Sequence, residues 1–153
     1  KLILNNKSNF NRNTDLLLYM AARSENVEII KKFYNKKIIL IDRFTDSTIA
    51  YQHYGMGVNL NLIETLNKYL LKNIKIGFTF LNIVNQKNLQ KRLKQRRSLN
   101  RYDKFKMSFY NNVQKGFIHL SQQQKNKYQL INSNLDIDKN EKLIISKIDR
   151  LIK

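Results

Sequence analysis

The segment 38–52 concentrates the side chains whose types and spacing could support chemistry. Asp42 and Arg43 follow directly after a continuous apolar run. A carboxylate in such a place can hold the water shell of a magnesium ion, and an arginine can form paired hydrogen bonds with a phosphate. Ser47 and Tyr51 lie four residues apart on a predicted helix just beyond, so both would face one cleft. For the dipeptide Asp42-Arg43 alone, an ion pair that caps a strand is the favoured interpretation.

These side chains need a strand and a helix to position them. The run Ile38–Ile41 is rich in β-branched residues and bounded by charge, which predicts a strand buried on both faces of a parallel sheet. Further strands are predicted at 75–84 and 128–132, and helices at about 13–34, from 46 or 47 onward, and at 60–71, 85–97, 102–124 and 138–152. We expect a single α/β domain, 1–153, with a doubly wound parallel sheet flanked by helices and ligands at the carboxyl ends of its strands.

Composition excludes several kinds of site. The chain has 153 residues, no Cys and 2 His, which excludes disulfides, thiol nucleophiles and Cys- or His-rich metal sites. The apolar runs are too short to span a bilayer and no signal peptide opens the chain, so we expect a cytoplasmic protein without a membrane partner.

The charge could indicate a nucleic-acid binder. Lys and Arg number 29 against 11 Asp and Glu, a formal net charge of +18. However, Lys, Asn and Ile are abundant while Pro is absent, a bias typical of A/T-rich codons, and only 91–101 is a dense basic run. We therefore expect no specific nucleic-acid partner, and we keep a non-catalytic basic nucleic-acid-binding module as the alternative.

A longer pattern identifies a family. The stretch 42–52, followed by Gly55-Met56-Gly57, resembles the signature of the thymidylate kinases, which are P-loop nucleoside monophosphate kinases. The helix segment 16–23 is similar to the family's helix with an aromatic residue four positions before an arginine. Residues 78–84 take the place of its next strand, 92–103 resemble its lid, and 128–133 resemble its last strand. The resemblance covers essentially the whole chain in the same order.

The resemblance implies roles for individual residues. Tyr19 takes the place of the aromatic that stacks on thymine, and Arg23 that of the arginine that hydrogen-bonds the base. Arg43 matches the arginine that grips the phosphate of dTMP, and Asp42 the acid beside Mg²⁺, held through water. The other acceptor positions are Ser47 and Thr48 at the site and the base edge, Tyr51 under the deoxyribose, and Gln52 by motif match only. In the lid, Arg92, Arg96 and Arg101 resemble arginines that close over the transferring phosphoryl group, and the first two would contact ATP.

The resemblance therefore implies phosphoryl transfer from ATP to dTMP, giving dTDP and ADP, with Mg²⁺ as cofactor and a homodimer as the assembly. A kinase of another nucleoside monophosphate is a second alternative; Arg23, Thr48 and Tyr51 favour thymidylate.

Some positions depart from the family pattern. Met56 stands in place of an arginine, and asparagines replace aspartates at 82, 100 and 132, which removes a carboxylate each time. None of the four glycines precedes a lysine, so the Gly-x-x-x-x-Gly-Lys-Ser/Thr loop that cradles ATP phosphates is absent. Because the chain also begins with Lys1, we expect a fragment that lacks the first strand and helix. Such a fragment would be inactive alone and would bind dTMP weakly.

Overall fold

The computed structural model describes residues 2–5 and 7–152, which form two compact units. The first unit comprises the residues up to 76 together with 98–120, and the second comprises 77–97 together with the residues from 121 onward. In these described ranges, no helix is both long enough and apolar enough to cross a membrane. The prediction of a single domain stays a prediction, and we describe each unit by itself.

Helices build the first unit. They are α1 (Arg12–Phe33), the short α2 (Thr45–Thr48), a π-helix (Ile49–Gly55) that continues it, and α3 (Leu60–Leu71), and the unit also contains most of α5 (Met107–Gln123). The core lies between α1, the π-helix and α3, and consists of Leu16, Met20, Ile49, Val58 and Ile63. The predicted helix 60–71 is therefore confirmed at both ends, whereas the predicted helix 102–124 begins later, after a short 3-10 turn at Arg101–Lys104.

The first turn of α1 corrects one sequence interpretation. Three polar residues, Asn13-Thr14-Asp15, stand at the predicted start of this helix and favour a cap there. The N-cap is instead Asn11, whose side chain accepts hydrogen bonds from the backbone N–H groups of Asn13 and Thr14. Asp15 is instead a helical residue with no exposed surface. A cap needs only a side-chain oxygen close to free amides, so several neighbouring polar residues fit the pattern equally well.

A two-stranded parallel sheet forms the centre of the second unit. Strand β1 (Thr79–Ile83) pairs with β2 (Tyr128–Asn132) in a register that sets Thr79 opposite Tyr128 and Ile83 opposite Asn132. Its other elements are α4 (Gln86–Gln95) and α6 (Ile137–Ile152). The predicted α/β class with a parallel sheet is confirmed, and the predicted strand 128–132 is confirmed residue for residue.

The predicted strand Ile38–Ile41 is wrong. These residues adopt no regular secondary structure, and Ile38 and Leu40 are 65% and 79% exposed. A strand exists only where its backbone N–H and C=O groups find partners in a neighbouring strand. In the part of the chain that the structure describes, no strand pairs with this run, so an apolar segment with the right composition remains in solvent.

Candidate functional site

Two helical stripes of polar and aromatic side chains face each other in the first unit. Three residues of α1 at four-residue spacing share one face. Three residues of the helical segment 45–55 share the opposing one. The stripes are Asp15, Tyr19 and Arg23 on α1, and Thr48, Tyr51 and Gln52 on the other segment. Five of these six were predicted site residues, and the exception is Asp15.

The first contact between the stripes is made by Arg23. Its Nη2 atom donates to Thr48 Oγ1 at 2.7 Å and to the carbonyl oxygen of Phe44 at 3.0 Å, and its guanidinium carbon lies 4.8 Å from the centre of the Phe44 ring. Burial lowers the pKa of Arg23 to about 10, so the side chain is a cation at neutral pH. Its Nε atom is buried and has no hydrogen-bond partner among the described residues. Arg23 thus has a donor available to a ligand.

The middle of the site is aromatic. Tyr102 meets Tyr19 edge-on at a ring-centre distance of 6.2 Å and Tyr51 at 5.8 Å. Tyr51 also packs against two rings of α5, Phe109 at 5.8 Å and Phe117 at 6.4 Å. Burial raises the pKa values of Tyr19 and Tyr102, and the hydrogen bond between Tyr102 and Asp15 raises that of Tyr102 further. Both tyrosines are therefore neutral, and their rings offer apolar faces of fixed orientation.

The opposite end of the stripes closes on a buried carboxylate. Asp15 Oδ2 accepts from the Tyr102 hydroxyl at 2.5 Å and from Gln52 Nε2 at 3.5 Å, and Asp15 Oδ1 forms an ion pair with Arg101 Nη2 at 3.0 Å. The sequence prediction missed Asp15 and Tyr102. The four-residue spacing of Asp15 from Tyr19 was the available signal, but it became informative only once the opposite stripe was known.

Asp42 and Arg43 lie at the exposed edge of this site. Arg43 adopts a φ of 61°, a left-handed conformation that is uncommon for a residue with a side chain. Its guanidinium carbon lies 5.2 Å from the centre of the Tyr51 ring. Partial burial works against the cation, but the interactions with Tyr51 and Asp42 outweigh it and raise the pKa of Arg43. Ser47 is half-buried in α2. The structure therefore brings Arg43 to Tyr51, and their roles toward a phosphate and a sugar stay predictions.

The lid arginines fall in different units. Arg101 belongs to the first unit, where it pairs with Asp15, whereas Arg92 and Arg96 belong to the second unit. Arg92 Nη2 donates to the carbonyl oxygen of Ser133 at 2.6 Å, and Arg96 is the C-cap residue of α4. Their predicted meeting over a phosphoryl group stays a prediction.

Asparagines gather beyond the carboxyl ends of β1 and β2. Asn132 Oδ1 accepts from the N–H and the amide group of Asn134, whose own Oδ1 accepts from Asn85 N–H and Asn88 Nδ2. The hydroxyl of Ser133 lies 3.5 Å from Asn82 Oδ1. Two of the asparagines that replace family aspartates, Asn82 and Asn132, therefore belong to one hydrogen-bonded loop cluster. In these contacts Asn82 and Asn132 accept hydrogen bonds through Oδ1, a role that a carboxylate oxygen could also fill.

The comparisons with known proteins agree on one family. The family model for thymidylate kinase matches residues 1–144. A thymidylate kinase of Wolbachia pipientis subsp. Culex pipiens is 31% identical over 137 residues, which cover 88% of this chain and 65% of that protein. A thymidylate kinase of Wolbachia sp. subsp. Brugia malayi is 40% identical over 106 residues, 68% of this chain and 50% of that protein. The chain thus spans about half to two thirds of the length of these curated relatives.

Solved structures extend the likeness to the fold. The crystal structure of thymidylate kinase from Ehrlichia chaffeensis matches with a TM-score of 0.70 and 30% identity, covering 96% of this chain and 69% of that one. A thymidylate kinase from Candida albicans matches with a TM-score of 0.71 and covers 99% of this chain and 73% of that one, and at 20% identity it supports the fold alone.

Proposed function

Because this chain belongs to the thymidylate kinase family, we propose that it supplies the dTMP side of an enzyme that transfers a phosphoryl group from ATP to dTMP. In that reaction a phosphate oxygen of dTMP forms a bond to the γ-phosphorus of ATP. The bond from that phosphorus to the bridging oxygen breaks, and the products are dTDP and ADP. Such a reaction needs positioning and charge neutralisation more than covalent participation by the protein.

The observation that carries the proposal is the buried Arg23 with an unpartnered Nε beside Thr48 and the aromatic rings. A buried donor without a partner is unfavourable, so such a group in a native fold indicates an acceptor that arrives with a ligand. The carbonyl edge of thymine is an acceptor of this kind. Tyr19 and Tyr51 would hold the base and the sugar, while Arg43, Ser47 and Gln52 complete the acceptor site.

The phosphate end of the proposed site depends on Asp42 and Arg43. Arg43 would form two hydrogen bonds with the dianionic phosphate, a geometry that suits a guanidinium. No group of three Asp, Glu or His side chains able to hold a metal occurs among the residues that the structure describes. A single carboxylate such as Asp42 nevertheless fits Mg²⁺, which keeps much of its water and takes its other ligands from phosphates. The ion would neutralise charge on the transferring group.

The ATP side of the reaction involves the lid arginines of this chain. The residues present do not provide a glycine-rich cradle for ATP phosphates, so no step of ATP binding follows from them. Arg92, Arg96 and Arg101 are proposed as lid residues that neutralise the phosphoryl group in transit. We also propose a cytoplasmic homodimer, in keeping with the exposed apolar side chains Leu17 and Ile29 on α1.

The acceptor site can be tested by a nucleotide titration of this chain. We expect dTMP to bind at least about tenfold more tightly than dCMP, because the amino group of cytosine would place a donor against Arg23 where thymine places an acceptor. A single-stranded DNA oligomer, long enough to contact the basic run 91–101, is titrated separately and tests the nucleic-acid-binding alternative. Equal affinity for dTMP and dCMP, or DNA binding that is tight, steeply salt-dependent and indifferent to dTMP, would contradict the proposal.

Turnover is measured with the protein expressed from its native gene. ADP release should depend on dTMP and on Mg²⁺, and a rate that is the same without a nucleotide acceptor would contradict the assigned activity. Molecular-mass measurement by light scattering tests the dimer in the same preparation.

A further inference from the structure

Asp15 joins parts of the first unit that are far apart in the sequence. Its partners Arg101 and Tyr102 are separated from it by 86 and 87 positions, and Gln52 by 37. The carboxylate is fully buried, and each of its oxygens accepts at least one hydrogen bond. A buried carboxylate is costly unless it is paired and hydrogen-bonded, so this arrangement has few alternatives of similar energy. Asp15 therefore fixes where the turn Arg101–Lys104 meets α1.

That meeting point shares a helix face with the proposed acceptor residues. Asp15 precedes Tyr19 by one helical turn and Arg23 by two. The ring of Tyr102, held by Asp15 through its hydroxyl, contacts the rings of both Tyr19 and Tyr51. The turn Arg101–Lys104 therefore lies beside the aromatic cluster of the proposed acceptor site.

The two terminal nitrogens of the Arg101 guanidinium differ in their contacts. Its Nη2 atom pairs with Asp15, while its Nη1 atom is buried and has no hydrogen-bond partner among the described residues. The guanidinium carbon also lies 5.3 Å from the centre of the Tyr102 ring and 5.7 Å from that of Phe10. Because a guanidinium is planar, holding one nitrogen and packing the group against two rings restricts the directions of the remaining N–H groups.

We propose that Asp15 is a positioning residue for phosphoryl transfer: it orients Arg101 so that the unpartnered Nη1 donates to an anionic oxygen of the reacting nucleotides. This inference rests on the proposed function and deepens it, since it names the residue through which Arg101 is aimed. Asp15 itself touches no nucleotide. If the ion pair between Asp15 and Arg101 were purely structural, its burial and distances would be the same. Loss of the Asp15 charge would then not lower turnover through Arg101.

The experiment is a double-mutant cycle of Asp15→Asn and Arg101→Gln in the gene product as the cell makes it. Asp15→Asn keeps the size of the side chain and removes the charge that holds Arg101. We expect kcat to fall at least about tenfold while the dTMP dissociation constant changes by less than about threefold, because the lost interaction acts on the group in transit. In the Arg101→Gln background the second substitution should lower kcat by less than about threefold further. Glu64→Gln, on an exposed residue of α3, is the matched control for loss of one carboxylate.

The outcomes separate the inference from the proposed function. Losses of kcat that multiply independently in the two variants, or an unchanged kcat in Asp15→Asn, would overturn the positioning role while leaving the kinase assignment intact. Absence of dTMP binding and of dTMP-dependent turnover in the unmodified protein would overturn both. If Asp15→Asn alone does not fold, the double variant is compared with Arg101→Gln instead, because the double variant leaves no unpaired buried charge. A kcat of the double variant more than about tenfold below that of folded Arg101→Gln would then refute the inference.

Discussion

A glycine inside a helix marks a close approach that can be tested directly. Gly116 lies within α5, where alanine would be favoured by about 1 kcal/mol on helix propensity alone. A Cβ atom built at this position would lie 2.6 Å from Cγ and Cδ2 of Tyr54 and 2.9 Å from its Cβ. These distances are well inside van der Waals contact. Gly116 is therefore retained because α5 and the π-helix approach too closely for any side chain.

The expected effect of Gly116→Ala follows from two opposing terms. The gain in helix propensity is about 1 kcal/mol, and the loss from overpacking is about 1–3 kcal/mol. The larger loss should apply, because the nearest atoms include the Cβ of Tyr54, which no rotamer change can move. The half-buried Tyr54 ring also contacts two other rings, at ring-centre distances of 4.8 Å from His53 and 6.0 Å from His119. We expect a net destabilisation of about 1–2 kcal/mol.

Thermal unfolding followed by circular dichroism measures this change. For a chain of this length, a loss of that size lowers Tm by about 2–8 °C. Gly77→Ala is the matched control, since nothing lies within 4 Å of its added Cβ, and its stability should change by less than about 0.5 kcal/mol. In a Tyr54→Ala background the destabilisation should be smaller, because the 2.6 Å contacts with the ring are gone and only the 2.9 Å contact with the Cβ of residue 54 remains. A Gly116→Ala protein that is more stable than the unmodified chain would refute the packing argument.

Three further predictions concern the acceptor site and the exposed apolar run. Arg43→Lys should weaken dTMP binding at least about tenfold in a titration while Tm changes little, because an ammonium cannot pair two hydrogen bonds with the phosphate. Arg23→Met should abolish the preference for dTMP over dCMP, because the base loses the donor that distinguishes the two. It should also lower Tm, since Thr48 Oγ1 and the Phe44 carbonyl oxygen lose their donor. Leu40→Asn should change the free energy of unfolding by less than about 0.5 kcal/mol in urea titrations, whereas Leu81→Asn in β1 should cost about 2–5 kcal/mol.

Helices were predictable from the sequence because their evidence is local. The apolar residues Leu16, Met20, Val27, Ile30 and Phe33 recur at helical spacing, and all but Phe33, which is 41% exposed, are buried in α1. Their neighbours three and four positions away lie on the same turn whatever the rest of the chain does. The phenylalanines and tyrosines of 102–117 also fall mainly at helical spacing, which predicts packing residues, and their rings contact one another.

Strands were less predictable because their evidence is not local. The run Ile38–Ile41 has a stronger β composition than Tyr128–Asn132, yet only the second forms a strand. Composition shows that a segment is suited to a sheet, but the hydrogen-bond partners come from elsewhere in the chain. Here β2 has β1 as its partner, and 38–41 has none among the described residues.

The candidate site likewise contains residues that the sequence could predict and residues that depend on contacts with distant parts of the chain. The contact of Arg23 with Thr48 joins two predicted residues 25 positions apart, which the resemblance to a family assigned separately to the same acceptor site. Nothing comparable identified Asp15, because a single aspartate near a helix start is more often a cap than a buried ion-pair partner. Its role depends on Arg101 and Tyr102, and those contacts exist only after the chain has folded.

The two ends of the proposed acceptor site differ in how they are held. The base end rests on Arg23, Thr48 and Tyr102, which are buried on helices that share the core of the first unit. The phosphate end rests on Asp42 and Arg43, which are exposed, follow the unpaired run 38–41, and include a residue at φ 61°. Burial and packing restrain the first set more than the second, so the proposed site is preorganised for the base more than for the phosphate. Under the proposed function, recognition of thymine would depend mainly on helix packing, and binding of the phosphate would depend on the contact of Arg43 with Tyr51.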